Sequence, residues 1–428
     1  MSSPHPKREI PPTISRRNVL GAALAAGAGT MLPLAGLPAG ASAAEVALRP
    51  PAALLDPEVA KYLAGPGGTR DYFQNCSPDQ RGKTGSWERT PKELAAAGLD
   101  AWTLDVTTDA RSQNLLKEPR TKATHNAITY VDLLRMANQH PVRILKSLVC
   151  LGMPSMAAYG LFEGVALRDV LWLAKPNPKG VIRRIAMHAF DPKDPAKQQW
   201  CSTLPPARVF EDPMGMAPVI LCLKFNGDWL AHGGPMRVIV HEHYGFMNVK
   251  DVRRIMLTND NTETDNYAKS GRDVNSPMKS FAEKPAVVSK QPLMFGGRAW
   301  AGMSGLKLVQ YAVAPADTKT TDDDVYLQWL PWKDGVILPA PANFASLIPG
   351  GPKNVFGLSE DGAPLQWPIP SFLAYWVSPP VRDLKPGKYR LFCRAVNNYG
   401  DAQPMPRPYG PHEGVSDLQS TDFEFTGS

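Results

Sequence analysis

Short apolar segments that end at glycine, proline or an Asn-Gly pair are the feature that most limits how this chain can fold. Residues 144–149 form such a run, because it is brief, contains β-branched side chains and stops before Gly152 and Pro154. Residues 219–225 form another run, which ends at Asn226-Gly227, a strong signal for a tight turn. The 43 prolines among 428 residues, about twice the usual share, favour irregular connections over helical bundles. The sequence therefore predicts many short strands joined by turns.

Helical patterns are confined to the first part of the chain. Capped helices are expected at residues 90–98 and 129–136, with Thr129 near the N-cap, and a third helix at residues 166–174. After about residue 260 the pattern changes to spaced β segments, which predicts a β-sandwich and an α+β fold. Residues 331–370 are an unusually long Pro/Gly-rich stretch, for which a surface loop or lid is expected. The predicted strands are residues 101–106, 144–149, 181–187, 219–225, 236–240, 307–313, 324–330, 372–377, 388–396 and 422–425.

The N-terminus has the features of an export signal. Arg16-Arg17 precede a stretch of small apolar residues, which ends at an A-x-A site closed by Ala43. Pro33 and Pro38 interrupt this stretch, so it is a poor membrane span. We expect residues 1–43 to be a twin-arginine signal, the protein to be exported or periplasmic, and no stable membrane span to remain after cleavage.

Charge and cysteine content exclude several classes of protein. The formal net charge of +7 is mild and no run of Lys or Arg stands out, so nucleic acid is not an expected partner. No C-x-x-C occurs, so the sequence lacks the usual zinc and iron–sulfur motifs. Because the number of cysteines is odd, at least one of them is free. The five are Cys76, Cys150, Cys201, Cys222 and Cys393.

Cys150 is the first candidate for chemistry. It stands where the predicted strand ends, next to glycines that allow close approach of backbone, so its thiol is well placed to bind a ligand. The alternative is a buried structural cysteine, since free cysteine is among the most buried residue types. Three more motifs follow: a His232-Gly-Gly-Pro-Met-Arg237 element, a Val249-Lys250 pair, and Gly297-Arg-Ala-Trp300 together with residues 384–404.

In this order and spacing the four pieces resemble the sulfite oxidase family of molybdenum enzymes, including its C-terminal dimerisation domain. The resemblance runs from about Trp102 to Pro404. It implies a mixed-sheet, sulfite-oxidase-type molybdopterin-binding domain at residues 44–275, followed by an immunoglobulin-like β-sandwich at residues 276–428. It also implies a homodimer.

The same resemblance implies a cofactor of molybdenum and molybdopterin, with Cys150 as the protein ligand to the metal. A soft, ionised thiolate suits a high-valent metal. His232 and Arg237 match the family's H-G-x-P-x-R element, and Lys250 matches its V-K lysine. A guanidinium fork and an ammonium charge are suitable partners for the pterin phosphate.

The substrate pocket departs from the family pattern. Where sulfite oxidases carry an Asn and an Arg after the ligand cysteine, this chain has Met153 and Pro154. A substrate arginine would then have to come from elsewhere, and the candidates are Arg208, Arg298 and Arg394. Each of these is otherwise a structural salt-bridge or surface residue.

The function implied is two-electron oxygen-atom transfer on a small molecule, with oxidation of sulfite or a related sulfur compound as the leading hypothesis. No haem motif C-x-x-C-H occurs, so electrons are expected to pass to a separate partner such as cytochrome c. An S-oxide or N-oxide reductase of the same family is an alternative, because Met153 and Pro154 make the pocket less suited to anions. A non-catalytic binding or assembly module that keeps the fold is another.

Overall fold

The computed structural model describes most of the chain after residue 55, and every structural statement below concerns that part. Several sequence predictions lie outside it: the signal at residues 1–43, Cys76, Cys150, Met153, Pro154, His232 and the domain boundary near residue 275. The described residues are 56–65, 70–74, 86–112, 114–149, 155–191, 193–194, 196–211, 213, 215–230, 234–260, 265–266, 278–319, 324, 326–404 and 417–427.

Helices are short, and local sequence accounts for where they begin. The second and third start with complete capping boxes, Thr90 with Glu93 and Thr129 with Asp132, in which each threonine accepts a backbone N–H three residues on. The predicted helices at residues 90–98 and 129–136 are confirmed, and so is the one at residues 166–174, which has no side-chain cap. The described helices are α1 (Pro57–Ala64), α2 (Pro91–Ala96), α3 (Tyr130–Gln139), α4 (Leu167–Trp172), α5 (Pro206–Phe210) and α6 (Phe344–Leu347), with a 3-10 turn at Gly245–Met247.

Strands dominate the described residues, as the short apolar runs predict. In chain order they are β1 (Thr103–Thr108), β2 (Ile128–Thr129), β3 (Val142–Val149), β4 (Met156–Ala166), β5 (Arg184–Phe190), β6 (Gln198–Leu204), β7 (Ile220–Phe225), β8 (Asp228–Trp229), β9 (Arg237–Ile239), β10 (Val252–Thr258), β11 (Phe281–Ala282), β12 (Ala286–Lys290), β13 (Leu293–Trp300), β14 (Leu306–Pro315), β15 (Lys333–Ile337), β16 (Val355–Phe356), β17 (Ala374–Val377), β18 (Gly387–Asn397) and β19 (Gln419–Phe425).

The strands form three sheets within the described residues. One has the order β2-β1-β10-β5-β6, with β1 and β10 parallel. The second has the order β16-β3-β4-β7-β8, with β9 also paired to β7 and with β16 parallel to β3. The third is antiparallel and has the order β11-β13-β17-β15-β14-β18-β19, with β12 paired to β13. Mixed sheets, few helices and an antiparallel β region confirm the α+β class.

The centre of the second sheet is closely packed because β4 contains Gly164. A Cβ at that position would overlap the backbone carbonyl of Leu221 in β7, so the two strands approach more closely than a larger residue allows. β7 then turns into β8 at Asn226-Gly227, where both residues have positive φ, 51° and 85°. These angles belong to the type I′ hairpin that the Asn-Gly pair predicts.

The third sheet folds into two layers. β15 pairs with β17 on one side and with β14 on the other, and so links the two layers. Their apolar side chains form one cluster, in which Phe295, Tyr311, Trp376 and Leu391 are buried. This arrangement is the antiparallel sandwich expected for the second part of the chain.

The expectation of a surface loop or lid at residues 331–370 is wrong. β15 and β16 both lie in this stretch and pair with the sheets. Phe344, Ile348 and Val355 are almost completely buried, at 2%, 0% and 4% exposure. The sequence pattern fails here because each pairing is short and its partner strand lies far away in the chain.

Two further strand predictions need correction. Residues 326–330 form turns rather than part of a strand over 324–330. β13 was not among the predicted strands, although it pairs with β11, β12 and β17. Its Gly296-Gly297 pair hides the pattern. A Cβ on Gly296 would crowd the carbonyl oxygen of Trp376, so glycine at that position is a packing requirement rather than a strand end.

Within the described part of the chain, no helix combines the length and the apolar character that crossing a bilayer requires.

Candidate cofactor site

β3 carries the chain to Cys150. Its last seven residues are buried, and it ends at Val149, which is fully buried, so the predicted strand at residues 144–149 is confirmed. Cys150 follows directly but lies outside the described residues. Val149 at the end of β3 pairs with Met156 at the start of β4.

Arg237 and Lys250, two of the predicted cofactor-binding residues, lie side by side. Arg237 begins β9 and forms an antiparallel bridge with Lys250, and the next pair is held by a 2.8 Å bond from Val238 N–H to the Val249 carbonyl. The chain turns back on itself between them, so the H-G-x-P-x-R element and the V-K lysine meet on neighbouring strands. Arg237 is buried, at 8% exposure, while Lys250 is exposed.

The donors of Arg237 fit an anionic ligand. Its Nη2 donates to the Asn248 carbonyl at 2.9 Å, but its Nε is buried without a hydrogen-bond partner among the described residues. Burial lowers the pKa of this guanidinium, which means that the buried charge lacks full compensation. An unmet guanidinium donor on a residue that is paired across the bridge with a lysine suits a phosphate such as the one that ends a molybdopterin.

Strand register alone would separate this pair from Cys150. Arg237 pairs with Cys222, which pairs with Gly164, which pairs with Val142, the first residue of β3. Cys150 comes after the last residue of the same strand. However, the segment that follows Arg237 and β9 also contacts the middle of β3, which is nearer to Cys150 in the sequence.

Lys146, in the middle of β3, makes that contact. Its side chain is fully buried, and its Nζ donates to the carbonyls of His241 and His243 at 2.6 and 2.9 Å, with the Met278 sulfur 3.4 Å away. No carboxylate in the described part of the chain forms an ion pair with it. Burial lowers the pKa of Lys146 from 10.5 to about 7. The segment that follows β9 therefore packs over β3 at Lys146, a residue four positions before Cys150 in the sequence.

This covering segment, residues 240–248, is held together internally by Asn248. The Asn248 Oδ1 accepts the Val240 N–H at 2.8 Å, and its Nδ2 donates to the Tyr244 carbonyl at 2.7 Å. Because the Asn248 carbonyl also accepts a hydrogen bond from Arg237, Asn248 connects the covering segment to the arginine predicted to bind the cofactor.

Arg208, a candidate substrate residue, is paired with the covering segment. Its Nε and Nη2 lie 2.6 and 2.9 Å from the carboxylate of Glu242, and both side chains are buried. Burial alone would raise the pKa of Glu242, but the hydrogen bonds and charge of Arg208 lower it to about 2. The Arg208 Nη1 is buried without a partner among the described residues, so one donor of the fork is left unused.

Arg298, the second candidate, lies near the tip of the β3–β4 hairpin. Its Nε is 2.6 Å from Glu283, and the other oxygen of Glu283 accepts the Met156 N–H at 2.8 Å. The guanidinium lies 5.4 Å from the ring centre of Tyr159, and the side chain is 30% exposed. Since Met156 pairs with Val149, Arg298 is connected through Glu283 to the end of β3 that precedes Cys150 in the sequence.

Arg394, the third candidate, lies in β18 of the sandwich. Its guanidinium stacks over Trp332 at 4.2 Å, and its Nε donates to Gln310 at 2.8 Å. Arg208 therefore contacts the segment that covers β3, Arg298 contacts Glu283, which binds the start of β4, and Arg394 contacts Trp332, Gln310 and Tyr326.

Sequence reasoning missed Lys146 and Glu283. A signal for Lys146 was present, because a lysine inside an otherwise apolar strand is rarely buried without a specific role. Glu283 had no such signal, since its contacts with Arg298 and Met156 join segments far apart in the chain.

Comparison with known proteins agrees with this geometry. The model of the oxidoreductase molybdopterin binding domain matches residues 95–267, which contain Cys150, Arg237 and Lys250. A search of curated proteins gives no match.

Two solved structures give the range of structural similarity. The sulfane dehydrogenase SoxCD from Paracoccus pantotrophus is 17% identical, with a TM-score of 0.50, covering 76% of this chain and 75% of that one. This likeness concerns the fold. Purple acid phosphatase PPD1 from seeds of yellow lupin, Lupinus luteus, is 10% identical, with a TM-score of 0.22 over 67% of this chain and 41% of that one, too low to support any argument.

The matched domain includes the β3 strand that leads to Cys150 and the paired cations Arg237 and Lys250. Residues 95–267 are therefore a molybdopterin-binding oxidoreductase domain, and the cofactor is molybdenum with molybdopterin.

Proposed function

We propose that this protein is an exported molybdenum enzyme that oxidises sulfite or a related sulfur compound by two-electron oxygen-atom transfer. The observation that carries the proposal is the bridge between Arg237 and Lys250, in which the arginine has a buried Nε without a hydrogen-bond partner among the described residues. An arginine and a lysine on paired strands can bind a phosphate through charge-assisted hydrogen bonds. The likeness of the fold to a sulfane dehydrogenase favours a sulfur substrate.

Four residues would hold the cofactor. Arg237, Lys250 and His232 would bind its phosphate, and Cys150 would give the metal its thiolate ligand. When bound, the molybdenum–pterin group supplies the two-electron redox chemistry. The role of the chain is to keep this group in place, which the Lys146 contact with the segment after β9 and the Asn248 brace support.

Arg298 is the substrate-binding residue that the geometry favours. Its guanidinium is partly exposed and belongs to the end of the hairpin that contains Cys150, whereas Arg208 is buried and Arg394 is stacked on Trp332. A cation at that end would attract and orient an anion such as sulfite, and would replace the arginine that the family carries where this chain has Pro154.

Export, electron transfer and assembly complete the proposal. The twin-arginine signal at residues 1–43 would direct the folded protein out of the cytoplasm. Electrons would leave to a separate carrier such as cytochrome c, because the chain carries no C-x-x-C-H motif. The sandwich would form a homodimer contact, as the resemblance implies.

The cofactor assignment is tested with Cys150→Ser. Protein produced with molybdate in a host that makes molybdopterin should contain about one molybdenum per chain, and the variant should lose activity while it retains pterin. Cys201→Ala is a matched control, because Cys201 is a buried cysteine on another sheet and the variant should keep both activity and pterin. Full activity in the Cys150 variant would rule out the thiolate ligand, and absence of metal from the wild type would favour a non-catalytic module.

The direction of the reaction is tested by assays with sulfite, thiosulfate and methionine sulfoxide. We expect oxidation of sulfite or thiosulfate with ferricyanide or cytochrome c as acceptor. Arg298→Gln should raise KM at least about tenfold, since an arginine–anion hydrogen bond contributes about 1.5–3 kcal/mol. Reduction of the sulfoxide without oxidation of either anion would favour the S-oxide reductase.

A further inference from the structure

A basic surface lies at the opposite end of the β3–β4 hairpin from Cys150. It consists of two packed segments, residues 114–120 and 172–184, here called the basic patch. Backbone bonds join them, from Lys117 N–H to the Lys175 carbonyl at 2.9 Å and from Asn177 N–H to the Leu115 carbonyl at 2.9 Å. The Arg120 Nε also donates to the Leu173 carbonyl at 3.0 Å, so the two segments form one surface.

The basic patch has a strong excess of positive charge. Its charged residues are Lys117, Glu118, Arg120, Lys175, Lys179, Arg183 and Arg184. The one carboxylate is already paired, with Lys175 and, at 3.5 Å, with Arg120. Lys117, Lys179 and Arg183 are exposed, and within the described residues they form no ion pair with a carboxylate. At the border, Asp169 is paired with Arg168 at 3.4 Å.

Exposed apolar side chains lie among these cations. Trp172 is 59% exposed, Val181 63% and Leu173 37%, which places three of the chain's largest exposed apolar groups in one short segment. The ring of Trp172 packs edge to face against Phe210, with ring centres 6.1 Å apart, while more than half of the residue stays exposed. A group of exposed apolar side chains surrounded by charged residues, rather than a single one, marks an interaction surface.

We propose that the basic patch binds an anionic phospholipid surface. Tryptophan and long basic side chains are the residues that settle at the boundary between lipid headgroups and acyl chains. Lysine, in contrast, is depleted in protein–protein interfaces, and the lysines here carry no fork geometry that would select one partner. Basic residues near an anionic leaflet each strengthen binding about fivefold.

The cofactor site is independent of this surface. α4, which ends at Trp172, follows β4 at the hairpin end where Gly164 pairs with Val142, the first residue of β3. Cys150 follows the other end of the same strand, about 23 Å of extended chain away. Substitutions in the basic patch should therefore leave metal content and activity unchanged, and so report on lipid binding alone.

The experiment is co-sedimentation of the mature holoenzyme with phosphatidylglycerol/phosphatidylcholine vesicles and with phosphatidylcholine vesicles. We expect binding to the anionic vesicles, loss of that binding in 1 M salt, and a roughly twentyfold weaker affinity for the double variant Lys117→Gln/Lys179→Gln. Lys290→Gln/Lys388→Gln makes the same charge change on exposed positions of the sandwich and should bind like the wild type.

The apolar contribution is tested separately with Trp172→Ser. This variant should bind anionic vesicles at least about fivefold more weakly, whereas Trp329→Ser, which removes a tryptophan of similar exposure, should not. Equal losses in patch and control variants, or no difference between the two vesicle types, would overturn the proposal. The proposal would also be overturned if the protein bound no vesicles but formed a dimer, or a complex with an acidic protein, and Trp172→Ser disrupted that assembly.

Discussion

Lys146 allows a quantitative test of the site, because its charge is buried without a carboxylate partner in the described residues. Its pKa falls from 10.5 to about 7, mainly through burial; the charge of Glu242 opposes this shift and the charge of Arg237 adds to it. A base with a lowered pKa in the folded state destabilises the fold below that pKa. The free energy of unfolding therefore rises as pH increases from about 7 towards 10.5, because over this range Lys146 is protonated in the unfolded state and neutral in the folded state.

The magnitude follows from one proton. Each pH unit between the two pKa values changes the free energy of unfolding by about 1.4 kcal/mol. From pH 7 to pH 9 the wild type should therefore gain about 2 kcal/mol of stability from Lys146, since the folded group is already half deprotonated at pH 7. Lys146→Met cannot titrate and should not show this gain.

Urea unfolding at pH 7, 8 and 9 measures the effect. The informative quantity is the difference in pH dependence between Lys146→Met and the wild type, because every other titrating group is common to both. The constant cost of leaving the His241 and His243 carbonyls without a donor also cancels. Parallel stability curves would refute the reasoning, since they would mean that Lys146 keeps its proton throughout this range.

Three further predictions concern burial and binding. Arg143→Met should lower the free energy of unfolding by about 3–5 kcal/mol in urea, because it leaves the buried carboxylate of Glu163 unpaired, whereas Arg135→Met at an exposed position should cost under about 0.5 kcal/mol. Arg237→Lys should reduce molybdenum content at low cofactor supply, with affinity about tenfold weaker or more, because the charge remains but the guanidinium fork is lost; unchanged content would contradict its role. Gly164→Ala should unfold at much lower urea concentration, since its Cβ would overlap the backbone of β7, and a wild-type midpoint would show that the two strands can separate cheaply.

Local features of the fold could be predicted from the sequence because their causes lie within a few residues. The capping box at Thr129 and the Asn226-Gly227 turn depend on short-range hydrogen bonds and backbone preference, and both are confirmed. The strand that leads to Cys150 follows from its apolar, β-branched composition. The pairing of Arg237 with Lys250 is also nearly local, since the chain turns back between them.

Long-range features could not be predicted in the same way. Arg143 donates to the Gly351 and Lys353 carbonyls at 2.7 and 2.8 Å, and so anchors the stretch that the sequence suggested was a surface loop. Nothing near Arg143 in the sequence indicates those acceptors. Glu283, which joins Arg298 to the β3–β4 hairpin, is a second case.

The sequence by itself determined the short strands, the capped helices and the set of motifs that indicate a molybdenum cofactor. Only the tertiary structure decided which charges are buried, which carbonyls Lys146 binds and which arginine lies near the end of the hairpin. The physical reason is that the energy of a charged side chain depends on the water and dipoles that remain around it after folding, and most of these come from distant parts of the chain.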